Sequence, residues 1–173
     1  MSKYTKKAEA SLRAEHTKQL DIIYSACFCV LWQDYQWKET RIIKRFRLSA
    51  DIWLKCDRFS ILEVMENETG IEMTLDGDKS FHEYAFLSGD TEIKPLSDAE
   101  YIYMHQRILK WLPTMILASV CLALYRTDGW GFERLSRFIC KVDALRQLIG
   151  KDPKAYDKYM YEVTGHHTRE FWT

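Results

Sequence analysis

The sequence predicts a mainly α-helical, compact domain of about seven helices with a small β-hairpin insert, built from two related helical units. Three observations lead there. Apolar residues recur every three to four positions along most of the chain, as in helices that bury one face. Seven glycines and three prolines in 173 residues leave little chain for turns. A similar order of features occurs twice, once in each half of the chain.

Composition narrows the class further. Apolar residues make up 47% and charged residues 29%, values of a folded chain and not of a disordered one. Such a length buries a core without metal or disulfide staples. Lys plus Arg and Asp plus Glu both count 25, for a net charge of zero, so any nucleic-acid role has to rest on a local patch. The five cysteines Cys27, Cys29, Cys56, Cys121 and Cys140 lack CxxC spacing, which suggests neither zinc knuckle nor disulfide framework and points to a reducing, cytoplasmic setting. Residues 1–16 are charged and lack a signal-peptide core. The longest apolar run, Trp111 to Tyr125, contains Pro113 and is shorter than the roughly 20 residues of a membrane span. A buried helix and no membrane association are expected.

In chain order, a long first helix is expected from about Thr5 to Asp34, through Leu12, Leu20, Ile23, Cys27, Val30 and Leu31, solvated in its first half and buried in its second. After a break at Tyr35 to Lys38, a second helix from Glu39 to about Lys55 turns Ile42, Ile43, Phe46, Ala50 and Trp53 inward. Ser60 and Glu63 form a capping box that opens a third helix, which Gly70 closes. The alternation from Ile71 to Leu75, followed by Asp76-Gly77, predicts a hairpin ending near Phe86, and a third short strand fits Thr91 to Lys94.

A second capping box, Ser97 with Glu100, opens a fourth helix through Tyr101, Met104, Ile108 and Trp111. Pro113 lacks an amide donor and is expected to kink or restart it, giving a fifth helix from Thr114 to Asp128. The sixth runs from about Phe132 to Ile149 with Leu135, Phe138, Val142, Leu145 and Ile149 on one face. Asp152-Pro153 caps a seventh that ends at Gly165. Residues 166–173 form a tail, mobile or docked.

The repeat emerges when residues 26–72 are laid over 118–167. Ala26-x-x-Cys29, Trp37, Arg41-Ile42, Arg45-Phe46 and Glu68-Thr69-Gly70 match Ala118-x-x-Cys121, Trp130, Arg134-Leu135, Arg137-Phe138 and Val163-Thr164-Gly165, with a slip of one residue between Trp and Phe. The expectation is one domain holding unit one at 5–70, a hairpin and loop insert at 71–97, and unit two at 98–165.

Over Ala123-Leu124-Tyr125 and Gly129-Trp130-Gly131-Phe132-Glu133-Arg134-Leu135-Ser136-Arg137-Phe138, the chain resembles a group of small, functionally obscure proteins from phages and prophages of Gram-positive gut bacteria. In these a similar Leu-Tyr segment leads through an aromatic-glycine turn to Arg-Leu-x-Arg-Phe. The resemblance covers about the last 50 residues well. It covers the first unit only weakly, because Gln36 and Lys38 stand in place of the glycines. It implies a mobile-element origin and no particular chemistry.

No phosphate loop, HExxH, GxSxG or paired acidic motif is present, so no catalytic residue, metal or cofactor is expected. Cys27 and Cys29 sit on an apolar helix as packing, and neither His105 nor the cluster His82, Glu83 and Tyr84 has an identifiable catalytic partner. What stands out is cationic. Lys38, Arg41, Lys44, Arg45 and Arg47 line the second helix, and Arg134, Arg137 and Lys141 line the sixth. Such stripes suit phosphates or an acidic protein groove, or are solvated faces paired with nearby carboxylates. Trp37 and Trp130 at the turns either staple helices or stack on a partner. The expected binding residues are Lys38, Arg41, Lys44, Arg45, Arg134, Arg137, Lys141 and Trp130.

The functional expectation is a non-enzymatic accessory protein acting by binding in the cytoplasm of a bacterial host. Its sharper form is an anti-CRISPR-type inhibitor of a host defence complex, with a nucleic-acid-bound type II effector nuclease as partner. The alternatives are a DNA-binding accessory or regulatory protein and a virion assembly component.

Overall fold

The computed structural model describes residues 3–56, 60–73 and 98–171. Six α-helices are present among them: α1 (Lys3–Tyr35), α2 (Glu39–Lys55), α3 (Ser60–Thr69), α4 (Asp98–Asp128), α5 (Phe132–Ile149) and α6 (Pro153–Thr164), followed by a 3-10 turn at Thr168–Phe171. The fold is therefore mainly helical, with six helices among the described residues where seven were expected in the chain. Of the expected hairpin, Ile71 to Met73 belong to no strand, and the remainder lies outside the described residues, as do the strand at 91–94 and the cluster His82, Glu83 and Tyr84.

The missing helix is accounted for at Pro113, which lies inside α4 without ending it. Its ring leaves the Leu109 carbonyl without the usual donor, and an interior proline costs about 3 kcal/mol. Trp111, Leu112, Met115 and Ile116 around it are all buried, each contributing about 1.5–3 kcal/mol when removed from water. Packing outweighs the local break, and the two expected helices are one.

The two long helices lie against each other and form the axis of the core. Every residue from Ile22 to Leu31 is buried, and so is nearly all of α4 from Trp111 to Leu124. The window Leu109–Asp128 is apolar and long enough to cross a membrane by composition, and 72% of it is buried inside the protein. Three hydroxyls in this core are linked. Tyr24 Oη lies 3.1 Å from Ser49 Oγ, which lies 2.6 Å from Ser119 Oγ, and Ser119 donates to the Ile116 carbonyl. This chain of hydroxyls ties α1, α2 and α4 together.

The shorter helices cross over. α2 and α3 pack chiefly on α4, whereas α5 and α6 pack chiefly on α1, so each half of the chain covers the long helix of the other half. The halves also repeat local geometry. α2 buries Ile42, Phe46, Ser49 and Ile52, and α5 buries Leu135, Phe138, Val142 and Leu145. Ile42, Ser49 and Ile52 precede Leu135, Val142 and Leu145 by one constant interval, the interval that also separates Trp37 from Trp130. Phe46 and Phe138, like Arg45 and Arg137, fall one residue short of that interval, which is the slip that the sequence suggested.

Helices α3 and α6 end alike. Thr69 Oγ1 donates to the Met65 carbonyl and accepts from Ile71 N; Thr164 Oγ1 donates to the Met160 carbonyl and accepts from His166 N. A left-handed glycine follows each threonine, Gly70 at φ 76° and Gly165 at φ 75°. Asp152 caps α6 by accepting from Lys154 N. The tail is docked: Thr168 Oγ1 lies 2.9 Å from Ser25 Oγ, and Asp157 accepts from Thr168 N and meets His167 Nδ1 at 2.9 Å.

Candidate binding surface at the two turns

Both aromatic turns come together at one end of the molecule. In each, the residue before the tryptophan is left-handed, Gln36 at φ 55° and Gly129 at φ 66°. The tryptophan amide then reaches back to a leucine carbonyl, Trp37 to Leu31 at 3.0 Å and Trp130 to Leu124 at 3.4 Å. The reversal drives each ring into the core, leaving Trp37 5% and Trp130 1% exposed. The two rings meet edge to face, their centroids 5.5 Å apart, a favoured arrangement for aromatic quadrupoles. Tyr35 and Phe138 complete the cluster around Trp130, at 4.6 and 5.8 Å. Trp130 thus acts as a staple, and the ring face left to it carries an arginine.

That arginine is Arg134, whose guanidinium carbon lies 4.3 Å from the Trp130 ring centre; Arg41 lies over Trp37 in the same way at 3.8 Å. Cation–π contact holds each guanidinium in place while leaving much of it wet. Arg41 and Arg45 also share one carboxylate. Both donate to Asp128 Oδ1 at 2.9 Å, and Arg45 Nε reaches the other oxygen. The Asp128 side chain is 4% exposed, and that of Arg45 is 18% exposed. Burial pushes the Asp128 carboxyl up, but the hydrogen bonds from Arg45 and Arg41 outweigh it and hold the group below the usual carboxylate value. Arg45 is correspondingly raised, mainly by its hydrogen bond to Asp128. Lys141 is tied as well, 3.0 Å from Asp34.

The expected binding residues therefore divide in two. Arg41, Arg45 and Lys141 fasten α2 and α5 to the ends of α4 and α1, and Trp130 is buried. Lys38, Lys44, Arg134 and Arg137 are exposed and have no carboxylate within 4 Å among the described residues. Arg47, on the same stripe as Lys44, shares that status. Arg137 makes one long hydrogen bond to the Glu133 carbonyl, at 3.4 Å. Beside the first turn, Trp32, Gln36, Trp37, Lys38, Glu39 and Thr40 line an open cleft of about 600 Å³, which periodicity along a single helix could not have revealed. His166 stands next to it, 3.5 Å from Glu39 and 3.3 Å from Glu170, with its ring edge-on to Trp32.

Elsewhere, burial raises the thiols of Cys27, Cys29 and Cys121, which keeps them protonated and poor nucleophiles. No group of three metal-ligating side chains occurs among the described residues. Comparison with protein-family models, with curated proteins and with solved structures finds no match, so a reading of this surface rests on its own geometry.

Proposed function

We propose that this is a phage or prophage accessory protein that acts by binding, with the two-turn end as its working surface, and that its two helical units descend from one duplicated unit. The observation that carries the binding reading is the concentration of charge there. Residues 34–47 and 128–141 together hold eight Lys and Arg against four Asp and Glu, in a chain whose net charge is zero. Such a dipolar molecule steers an anionic partner to one end. Duplication is supported by the reciprocal packing of the halves and by their matching turns and helix ends.

The sharper reading is inhibition of a host defence complex, of the anti-CRISPR type, by engagement of a nucleic-acid-loaded type II effector nuclease in the cytoplasm of the bacterial host. The mobile-element resemblance and the exposed cations support it. The test is capture of the loaded nuclease by the tagged protein, together with target cleavage in its presence. Capture and slowed cleavage, both lost in Arg134→Glu/Arg137→Glu at an unchanged Tm, are expected. Recovery of no nuclease with unimpaired cleavage sinks this reading. DNA binding that persists alongside unimpaired cleavage favours a DNA-binding accessory protein instead, a reading that the same exposed cations support.

A further inference from the structure

The crossed packing carries symmetry information. In a twofold arrangement each contact is made twice with the roles exchanged, as when α2 and α3 cover α4 while α5 and α6 cover α1. A residue can touch its own counterpart only where it lies on the axis. Trp37 and Trp130 are such a pair, 5.5 Å apart, and so are the long helices α1 and α4. The approximate dyad therefore runs between the long helices and emerges between the two tryptophans. Arg41 on Trp37 and Arg134 on Trp130 flank it, and Lys44 and Arg137, which the same chain interval relates, stand one helical turn further along α2 and α5.

A ligand that matches this surface offers two equivalent anionic edges related by a twofold axis. The antiparallel strands of a duplex do so at every base pair, because a local dyad exchanges their phosphates, and twofold proteins use that match. A single strand or an acidic peptide has one edge and one direction. The side chains present are those that contact phosphate: guanidinium and ammonium groups on the outer faces of helices, two of them held on aromatic rings and so ordered before a ligand arrives.

Resting on the binding reading above, we infer that the two-turn end grips duplex nucleic acid across this dyad, with the turn of each unit facing one strand. The chemistry named is the paired phosphate backbone, of DNA or of an RNA–DNA hybrid.

The experiment uses the full chain and fluorescence anisotropy with a 20-base-pair DNA duplex, an RNA–DNA hybrid and the matching single strand, each over a series of salt concentrations. At least one duplex is expected to bind tenfold or more tightly than the single strand, with affinity falling steeply as salt rises. Lys44→Glu and Arg137→Glu, exposed and not ion-paired to a described carboxylate, are expected each to weaken duplex binding several-fold by similar factors, and each to lower the salt slope by about 1. Thermal melts confirm that both variants fold. Equal binding of single strand and duplex, binding of no duplex at low salt, or sensitivity to only one of the two substitutions overturns the inference. If no duplex binds but capture of the loaded nuclease persists and is lost in Arg134→Glu/Arg137→Glu, the partner is protein and the broader binding reading stands while this inference falls.

Discussion

The two turns perform the same reversal with different residues. At the second, Gly129 supplies the left-handed backbone; at the first, Gln36 does. At the second, Asp128 is almost fully covered and receives two arginines; at the first, Asp34 is 38% exposed and receives one lysine. Cross-fastening has consequently consumed more charge from the first unit's helix than from the second's. Arg41 and Arg45 of α2 are committed to holding α4, whereas Arg134 and Arg137 of α5 remain available to a ligand. Both units thus keep an exposed cation for contact, Lys44 in the first and Arg137 in the second, while the first carries the heavier share of the fastening.

The largest test of the comparison lies in the tryptophans. Trp130 is enclosed by Tyr35, Trp37 and Phe138, and its truncation leaves a cavity that cannot fill with water. Trp130→Ala is expected to cost about 3–5 kcal/mol of stability in urea denaturation. Trp37 borders the open cleft that runs from Trp32 to Thr40, so the space left by Trp37→Ala is partly solvated and the cost falls by about 1 kcal/mol or more. A larger loss at Trp37 would show that the first turn, and not the second, anchors the cluster.

Next come the two carboxylates. Asp128→Ala strands a largely covered Arg45 without its partner and is expected to cost about 2 kcal/mol. Asp34→Ala breaks an exposed pair worth about 0.5 kcal/mol or less. The same contrast has a pH signature. Because its folded carboxyl is held below the ordinary value of 3.8, Asp128 contributes its full stabilisation above that value and loses it as pH falls through the lowered one. Acid titration of stability should therefore show a shallower loss below about pH 4 in Asp128→Asn than in the wild-type protein. An unchanged acid limb would mean that the shared carboxylate does not stabilise the fold.

These differences show which features a single sequence can reveal. The bounds of helix α2 could be read because its apolar spacing is local, but its inner face was not: Ile42, Phe46, Ser49 and Ile52 are buried, whereas the expected Ile43, Ala50 and Trp53 are only half-buried. The start of α6 was legible because Asp152 and Pro153 announce it. The repeat was visible because Trp37 and Trp130, Thr69 and Thr164 occur in the same order. Continuity through Pro113 was not, since the packing that outweighs the proline comes from residues far away in the chain. The division of the basic stripes was hidden for the same reason. Arg41 and Arg45 look as free as Arg134 and Arg137 until α2 is laid across the end of α4, where Asp128 waits 83 positions from Arg45. Spacing along a helix places its charges on a face, whereas only the crossed packing determines which of those charges is neutralised.

The smallest effect probes the backbone of the turns themselves. An L-residue in the left-handed region crowds its Cβ against the following carbonyl, at about 1 kcal/mol or a little more, whereas glycine pays no such steric cost. Gln36 carries that strain at φ 55° and Gly129 avoids it at φ 66°. A Cβ added at Gly129 would meet no atom within 4 Å, so Gly129→Ala isolates the backbone term and is expected to destabilise by about 1 kcal/mol. Gln36→Gly relieves strain but loosens the unfolded chain, and the two effects oppose each other. The net gain is expected to be about 0.5 kcal/mol, read as a small rise in the urea midpoint at constant m-value. A loss at Gln36→Gly would mean that the glutamine side chain itself supports the turn, and that the first unit compensates for its missing glycine by contact and not by tolerating strain.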